Sequence, residues 1–257
     1  MVDKIRGLAE EAGREIMKFY KSGDWSVTAK VDQSPVTQAD LAANAILVEG
    51  IRKFSDVPVV SEESDPQGVV RGKKFWLIDP LDGTRDFVSR LDTFVVCVAL
   101  IEDSRPVSGV IHAPVTGETW WAEKGRGAFN SRGSQLFIKN ERVDLIAAGS
   151  RSLSTEKVRA ALKLLNVRDV QLYGSALKFC RLAESAIDLY PRLGPTFEWD
   201  TAAGQLIVEE AGGKVLAIDS GQTLTYGKPK LENVGGFIAS RGDLDLISAL
   251  KSAALVR

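Results

Sequence analysis

The order of predicted elements changes near residue 140, and this change constrains the fold more than any other feature of the sequence. Before it, two amphipathic helices, at residues 3–20 and 37–54, precede a series of short strands. These strands are predicted at residues 58–60, 75–78, 94–101, 107–113, 119–122 and 136–138. Turn residues at Arg105-Pro106 and Thr116-Gly117 favour antiparallel pairing among them.

Beyond residue 140, strands alternate with helices. Three strands, at residues 143–147, 170–172 and 187–190, each precede a helix, at residues 154–165, 176–186 and 201–211. The glycine pair that follows the third helix is typical of a helix C-terminus. Two more strands, at residues 215–218 and 236–239, and a last helix from Asp243 complete the chain. We therefore predict an α+β protein with an antiparallel α+β half at residues 1–140 and an α/β half at residues 141–257.

Composition limits the possible partners. The 257 residues are 44% hydrophobic and carry a formal net charge of -1, so the sequence has material for a core but no basic surface typical of nucleic-acid binding. The longest apolar run, residues 94–101, is too short to cross a bilayer, and the charged first residues lack the apolar core of a secretory signal. We expect a cytoplasmic protein without an integral membrane segment; peripheral membrane association stays open.

The few cysteines and the single histidine narrow the chemistry. Cys97 and Cys180 lie among apolar residues, which predicts two buried free thiols in a reducing compartment. His112 is the only histidine, and its place in an alternating strand favours a structural role. A zinc site and most Ser-His or Cys-His mechanisms are therefore disfavoured. Neither a G-x-x-x-x-G-K-[ST] loop nor a G-x-S-x-G elbow is present. Any hydrolytic chemistry would depend on carboxylates and metal.

The strongest local signal is the string DPLDGT at residues 79–84, directly after an apolar strand. It places Asp79 and Asp82 at one edge of a sheet, and hard divalent cations prefer such clustered oxygens, with the Leu81 carbonyl as a further ligand. Backbone N–H groups of Gly83 and Thr84 would face an anion. The alternative is a turn rich in Asp and Gly in which Asp is only a local cap.

Residues 76–87, WLIDPLDGTRDF, resemble the signature of the inositol monophosphatase superfamily of Mg-dependent, lithium-sensitive phosphatases. Two further family elements occur in the same order, SEE at residues 61–63 and EWDTAAG at residues 198–204. The resemblance covers essentially the whole chain. It implies a layered αβαβα sandwich and a phosphatase activity.

Within the superfamily the chain is most similar to the CysQ-type 3'(2'),5'-bisphosphate nucleotidases. The stretches that carry this likeness are residues 32–40, 174–180 and 189–196, although Ala176 stands where many relatives have a second serine. The resemblance implies removal of the 3'-phosphate from adenosine 3',5'-bisphosphate, a small phosphorylated nucleotide, to give AMP and phosphate. It also implies a role in sulfate assimilation, and the chain would work as a monomer or homodimer.

The same resemblance implies a two-metal site. Glu62, Asp79 and the Leu81 carbonyl would hold one Mg²⁺, and Asp79, Asp82 and Asp200 would hold a second. A third, weaker ion is expected near Glu62. Two alternatives remain at this stage, because Glu62 and its acidic neighbour are also typical of a solvated loop, and Asp200 is also a suitable N-cap for the helix at residues 201–211.

Roles for the attacking water and for the substrate follow from the resemblance. Thr84 and Glu62 would position the water, and Asp40 would hold Thr84. The alternatives are that Thr84 caps the next helix and that Asp40 belongs to a capping box with Thr37. The residues expected to contact substrate are Glu62, Leu81, Asp82, Gly83, Thr84, Arg151, Ser175, Lys178, Arg192 and Asp200.

The nucleotide-specific part of that set is Ser175, Lys178 and Arg192, with Arg151 as a candidate for the 5'-phosphate. The alternative for the three cations is that they are solvated surface charges. Two rival functions follow. An inositol or sugar phosphate phosphatase would share the catalytic core, and a non-catalytic regulatory or metal-binding protein on the same fold would show no turnover.

Overall fold

A seven-stranded sheet separates two N-terminal helices from the rest of the chain. The computed structural model describes residues 1–23, 26–29, 35–64, 71–139, 144–149 and 162–242. The elements of the first part are α1 (Val2–Ser22), β1 (Val27–Ala29), β2 (Pro35–Thr37), α2 (Gln38–Arg52), β3 (Val59–Ser61), β4 (Lys74–Asp82), α3 (Thr84–Val88), β5 (Val95–Glu102), β6 (Arg105–Ala113), β7 (Glu118–Glu123), β8 (Ala128–Asn130) and β9 (Gln135–Leu136).

The order of the large sheet is β3-β4-β5-β6-β7-β8-β9. Its neighbours pair antiparallel, as predicted, except that β3 and β4 are parallel. The exception escaped prediction because the turn signals that we used lie only between later strands. One of those signals was also misplaced. The β5–β6 turn is made by Asp103 and Ser104, both left-handed, while Pro106 lies inside β6 beside a register shift, where a strand tolerates proline.

Burial on both faces explains the long apolar run in β5. Val96 and Val98 pack with α1 and α2 on one side of the sheet, whereas Cys97 and Ala99 face the core on the other side. A strand with two buried faces reads as continuous rather than alternating hydrophobicity.

The second part of the chain builds a five-stranded mixed sheet. Its elements are β10 (Leu145–Gly149), β11 (Val167–Leu172), α4 (Leu177–Ala183), β12 (Leu189–Arg192), β13 (Thr196–Phe197), α5 (Ala202–Glu210), β14 (Gly213–Ala217), β15 (Glu232–Asn233) and β16 (Phe237–Arg241). The order is β11-β10-β12-β16-β14, with β10 parallel to both neighbours and β16 antiparallel to both. Helices α4 and α5 lie between the two sheets.

These layers confirm the predicted layered α+β sandwich. Helices α1 and α2 form one outer layer, and the two sheets enclose α4 and α5. Of the predicted helix at residues 154–165, only residues 162–165 are described, and residues 162–164 are helical. The predicted helix from Asp243 lies outside the described residues. Strands β1, β2, β8, β13 and β15 were not predicted; each has only two or three residues, and none was marked by a short apolar run like those that indicated β3 and β9.

The predicted roles of the cysteines and the histidine agree with their places in the fold. Cys97 and Cys180 are buried free thiols. His112 is buried, its Nδ1 lies 2.9 Å from Thr119 Oγ1, and burial lowers its pKa to about 4. Among the described helices, none is long and apolar enough to cross a membrane.

Close packing of α4 against α5 depends on a glycine. A Cβ atom on Gly204 would lie 2.3 Å from the Phe179 ring, whereas one on Gly7, in the middle of α1, would meet nothing within 4 Å. We expect Gly204→Ala to lower the free energy of unfolding by about 1–3 kcal/mol, because overpacking outweighs the gain in helix propensity. The matched control Gly7→Ala should raise it by about 0.5–1 kcal/mol. Urea unfolding of both variants tests this, and equal stabilisation by the two would contradict it.

Candidate active site

A bulge at the end of β4 brings two carboxylates to the same side of the sheet. Asp79 pairs with Cys97 and Asp82 with Val95, so three steps on β4 match two on β5. Residues three apart on a regular strand point to opposite faces, and the extra residue of a bulge reverses that relation. The DPLDGT string therefore places both aspartates in one cavity.

Asp200 completes a cluster with these two aspartates. Carboxylate oxygens of Asp79, Asp82 and Asp200 all lie within 4.8 Å of one another. Each carboxylate also accepts a backbone N–H: Asp79 Oδ1 from Leu81 at 3.0 Å, Asp82 Oδ2 from Ala176 at 2.5 Å, and Asp200 Oδ2 from Phe197 at 2.9 Å. The alternative role of Asp200 as an N-cap is wrong, because Thr201 occupies the N-cap position of α5 and no side chain caps that helix.

The electrostatics of the cluster favour a bound cation. Burial, reinforced by neighbouring carboxylates, raises the pKa values of Asp79 and Asp200 well above the usual range. Burial raises the pKa of Asp82 to about 6, although Lys178 and the Ala176 N–H act in the opposite direction. Like charges this close repel, and an oxygen-only set of donors suits a hard divalent ion such as Mg²⁺. The described residues therefore fit the ion that the sequence predicts.

Glu62 faces the same cavity from the end of β3. Its N–H donates to the Ile78 carbonyl at 3.1 Å, which fixes the backbone beside β4. The side chain is half-buried and lines a cavity of about 480 Å³ together with Asp79, Leu81 and Thr84. This setting differs from that of a solvated loop. The role of Glu62 as a metal ligand remains a prediction.

The Thr84 side chain faces Asp40. Thr84 Oγ1 lies 3.0 Å from Asp40 Oδ1 and 3.2 Å from the Leu81 carbonyl oxygen. The hydroxyl has one proton to donate, so its lone pairs stay available to a ligand. The alternative that Thr84 caps α3 is wrong, because the N-cap is Gly83, which is left-handed with φ 100°, and no side chain caps this helix.

Asp40 makes the contacts of both alternatives that the sequence suggested, one with Thr37 and one with Thr84. Its Oδ2 accepts from the backbone and hydroxyl of Thr37 at 2.8 and 2.6 Å, which forms the capping box of α2. Its Oδ1 faces Thr84. Because Asp40 is 1% exposed and held at its other oxygen, it can hold the Thr84 hydroxyl in one place.

Three of the four predicted nucleotide contacts, Ser175, Lys178 and Arg192, line a second cavity of about 320 Å³, but two of them are bonded internally. Ser175 is left-handed with φ 48°, and its hydroxyl donates to the Thr93 carbonyl. Lys178 is 4% exposed, and its Nζ donates to the carbonyls of Ser175 at 2.6 Å and Tyr173 at 3.3 Å. The alternative of a solvated surface charge is therefore wrong for Lys178, whose burial lowers its pKa to about 8.

Arg192 lines both cavities from the end of β12. Its Nη2 donates to the Pro195 carbonyl at 3.1 Å, and its Nε is buried without a hydrogen-bond partner in the described part of the chain. Arg151 lies outside the described residues. The two cavities meet along a shared wall that consists of Asp82, Gly83, Arg85, Arg192, Thr196 and Asp200.

The sequence did not identify the residues that hold the Ser175 turn in place. Thr93 Oγ1 donates to Asp86 Oδ2 at 2.6 Å, and a Cβ atom on Gly174 would lie 1.8 Å from that oxygen.

Fully buried Glu198 accepts from the Gly227 N–H at 2.6 Å and from Lys228, and so holds the chain segment before Asp200 in place. Asp86, Gly174 and Glu198 lie within the family-like strings, but the contacts of Gly174 with Asp86 and of Glu198 with Gly227 join residues that are distant in sequence.

Comparisons with known proteins all point to one family. The model of the Inositol monophosphatase family matches residues 2–253. The chain is 40% identical over 232 residues to the 3'(2'),5'-bisphosphate nucleotidase CysQ of Salmonella typhimurium, covering 88% of this chain and 94% of that protein. It is also 40% identical over 221 residues to the Escherichia coli K12 protein of that name, covering 84% and 89%.

Solved structures from the same family also match the chain. CysQ from Bacteroides thetaiotaomicron, described as a bacterial member of the inositol monophosphatase family, matches with a TM-score of 0.80 and 31% identity, covering 95% of this chain and 97% of that one. An IMPase from Thermotoga maritima matches with a TM-score of 0.81 and 27% identity, covering 96% and 95%.

The carboxylate cluster should make the stability of the protein depend on metal and pH. Between about pH 4 and pH 6 the metal-free folded protein retains a proton on Asp82 that the unfolded chain has lost, so stability falls as pH rises. Asp82→Asn should remove the part of this pH-dependent loss of stability that is due to Asp82. It should stabilise the metal-free protein at pH 7 on the order of 1–3 kcal/mol. It should also greatly weaken stabilisation by Mg²⁺.

Thermal unfolding with EDTA and with Mg²⁺ measures both effects. Asp103→Asn is the matched control, because Asp103 is exposed in the β5–β6 turn and asparagine tolerates its left-handed backbone. If the melting temperature of the wild-type protein does not change when Mg²⁺ is added, the proposed metal site is contradicted.

Proposed function

The chain belongs to the inositol monophosphatase family, and on that premise we propose that it is a 3'(2'),5'-bisphosphate nucleotidase that hydrolyses the 3'-phosphate of adenosine 3',5'-bisphosphate to AMP and phosphate. The observation that carries the proposal is the near full-length similarity to curated nucleotidases. The site supports it with clustered carboxylates beside a cavity that has cationic residues in its wall.

The proposed metal ligands follow the sequence prediction. Glu62, Asp79 and the Leu81 carbonyl would hold one Mg²⁺, and Asp79, Asp82 and Asp200 a second, with a third, weaker ion near Glu62. The clustered oxygens of the three aspartates support this assignment. When bound, Mg²⁺ activates water and neutralises charge on the phosphoryl oxygens.

The residues of the chain position the attacking water and the phosphate. Thr84 and Glu62 orient the attacking water, and Asp40 fixes Thr84 through the 3.0 Å contact. The backbone N–H groups of Gly83 and Thr84 face the phosphate. The water oxygen forms a new bond to phosphorus and the bond from phosphorus to the 3'-oxygen breaks. One proton of the attacking water stays on the released phosphate, and the other is transferred to the 3'-oxygen, which leaves as a hydroxyl.

Substrate recognition is proposed for Ser175, Lys178, Arg192 and Arg151. The internal hydrogen bonds of Lys178 indicate that it acts mainly by holding the Ser175 carbonyl, while Arg192 is placed to reach a ligand in either cavity. In this proposal, residues 1–140 supply most of the metal ligands, and residues 141–257 supply Asp200 and the nucleotide contacts.

The cellular proposal is disposal of a nucleotide by-product of sulfate assimilation. The cytoplasm is the proposed compartment, and the two buried free thiols are compatible with its reducing conditions. We propose a monomer or homodimer that is inhibited by lithium.

The main alternative is an inositol or sugar phosphate phosphatase. The internal bonding of Ser175 and Lys178 favours it, because these two groups are less available to a nucleotide than the sequence suggested. A non-catalytic protein is the weaker alternative, since the proposed ligands and the Thr84–Asp40 pair are all present.

Phosphate release from a panel of substrates tests the function. The panel contains adenosine 3',5'-bisphosphate, 5'-AMP, inositol 1-phosphate and fructose 1,6-bisphosphate, each with Mg²⁺, with EDTA and with millimolar lithium. We expect the bisphosphate nucleotide to have the highest kcat/KM, no release in EDTA, and a lower rate in lithium. Faster hydrolysis of inositol 1-phosphate would favour the alternative.

The position of the Thr84 hydroxyl predicts a kinetic effect. Thr84→Ala should lower kcat on the order of 10²–10⁴-fold with little change in KM, because the positioned hydroxyl is lost. Thr84→Ser keeps the hydroxyl and should retain most of the rate. Melting on the same samples gives the control, since loss of one hydrogen bond costs only about 1 kcal/mol. An unchanged kcat in Thr84→Ala would show that the hydroxyl has no part in the reaction.

A further inference from the structure

Arg85 is a cationic residue in the shared wall of the two cavities to which neither the sequence nor the proposed mechanism gives a role. It directly follows Thr84 in α3, so its Cα atom lies about 3.8 Å from that of the residue proposed to orient water. Its side chain is exposed and lines both the cavity of the metal ligands and the cavity of Ser175.

Among the described residues, three lysine or arginine side chains line these cavities, and their hydrogen bonding differs. Lys178 is buried, bonded to two carbonyls, and its Nζ lies 5.0 Å from the centre of the Tyr190 ring. Arg192 donates to the Pro195 carbonyl. Within the described part of the chain, the Arg85 guanidinium has no hydrogen bond or ion pair. Arg85 can therefore bind an anion without losing an existing contact.

The charged residues that line the two cavities indicate different positions for the phosphate that reacts and for the phosphate that does not. Among the described residues, the cavity of the proposed metal ligands is lined by five acids, Glu62, Asp79, Asp82, Asp200 and Glu232, and by two arginines, and this excess of acids suits metal and the phosphate that reacts. The described lining of the other cavity has three acids and three cations. A second phosphate on the same ribose would lie beyond the carboxylates, toward the rim where Arg85 lies.

We propose that Arg85 binds the phosphate that is not hydrolysed and so determines selectivity for a nucleotide with two phosphates. The inference rests on the proposed function. A guanidinium matches phosphate in a bidentate geometry that an ammonium cannot reproduce. Because the side chain starts next to Thr84, binding the second phosphate would also position the first one against the water.

Two substrates that differ only in the second phosphate test this. Adenosine 3',5'-bisphosphate and 3'-AMP carry the same reacting group, so the ratio of their kcat/KM values isolates the contribution of the 5'-phosphate. In the Mg²⁺-loaded enzyme, Arg85→Gln should lower this ratio about 10- to 100-fold, the range for a charge-assisted hydrogen bond. Arg85→Lys should give an intermediate ratio. The control Arg126→Gln removes an exposed arginine from the β7–β8 turn, which lines neither cavity, and should keep the wild-type ratio.

Binding of the product gives a readout independent of turnover. Calorimetry with 5'-AMP and with adenosine should show that Arg85→Gln weakens 5'-AMP binding about tenfold or more and affects adenosine much less. An unchanged substrate ratio, or an equal fall for both substrates, would overturn the inference. If the wild type hydrolyses neither nucleotide, the proposed function fails. In that case Arg85-dependent binding of 5'-AMP supports the inference, and Arg85-independent binding overturns it.

Discussion

The cost of holding three carboxylates together in a partly buried cluster is the constraint on which the rest of this structure depends. Carboxylate oxygens of Asp79, Asp82 and Asp200 lie within 4.8 Å of one another, and desolvation, followed by repulsion from neighbouring acids, raises the pKa values of these groups. Backbone N–H groups hold each carboxylate in place, and they come from the β4 bulge, from the start of α4 and from β13. The fold thus resists the repulsion at three separate points, and the energy that it opposes becomes available to bind a divalent ion.

The sequence predicted the parts of the fold that have a period and the parts of the site that form a string. The helical faces of α1 and α2 are long enough to show their period, and the apolar run that became β5 is long enough to indicate a strand buried on both faces. The sequence did not predict the pairing of β3 with β4, the short strands β13 and β15 or the turn at Asp103. These features depend on register and backbone angle.

The site divides in the same way. The string DPLDGT identified Asp79 and Asp82 as candidate metal ligands, but only the structure shows the bulge that makes two residues of odd separation face one cavity. The alternative that Lys178 is a surface cation stayed open in the sequence because helix position alone does not reveal burial. The hydrogen bond from Ser175 to the Thr93 carbonyl joins residues more than 80 positions apart, and no local pattern records such a contact.

The bond from the Ala176 N–H to Asp82 joins the two halves of the chain, and Asp200 comes from the later half. During synthesis the ribosome delivers Glu62, Asp79 and Asp82 long before Asp200, and the large sheet ends at β9, well ahead of it. A nascent chain therefore carries an incomplete acidic cluster until Asp200 arrives. Completion of the three-aspartate cluster consequently requires that the second half has docked on the first.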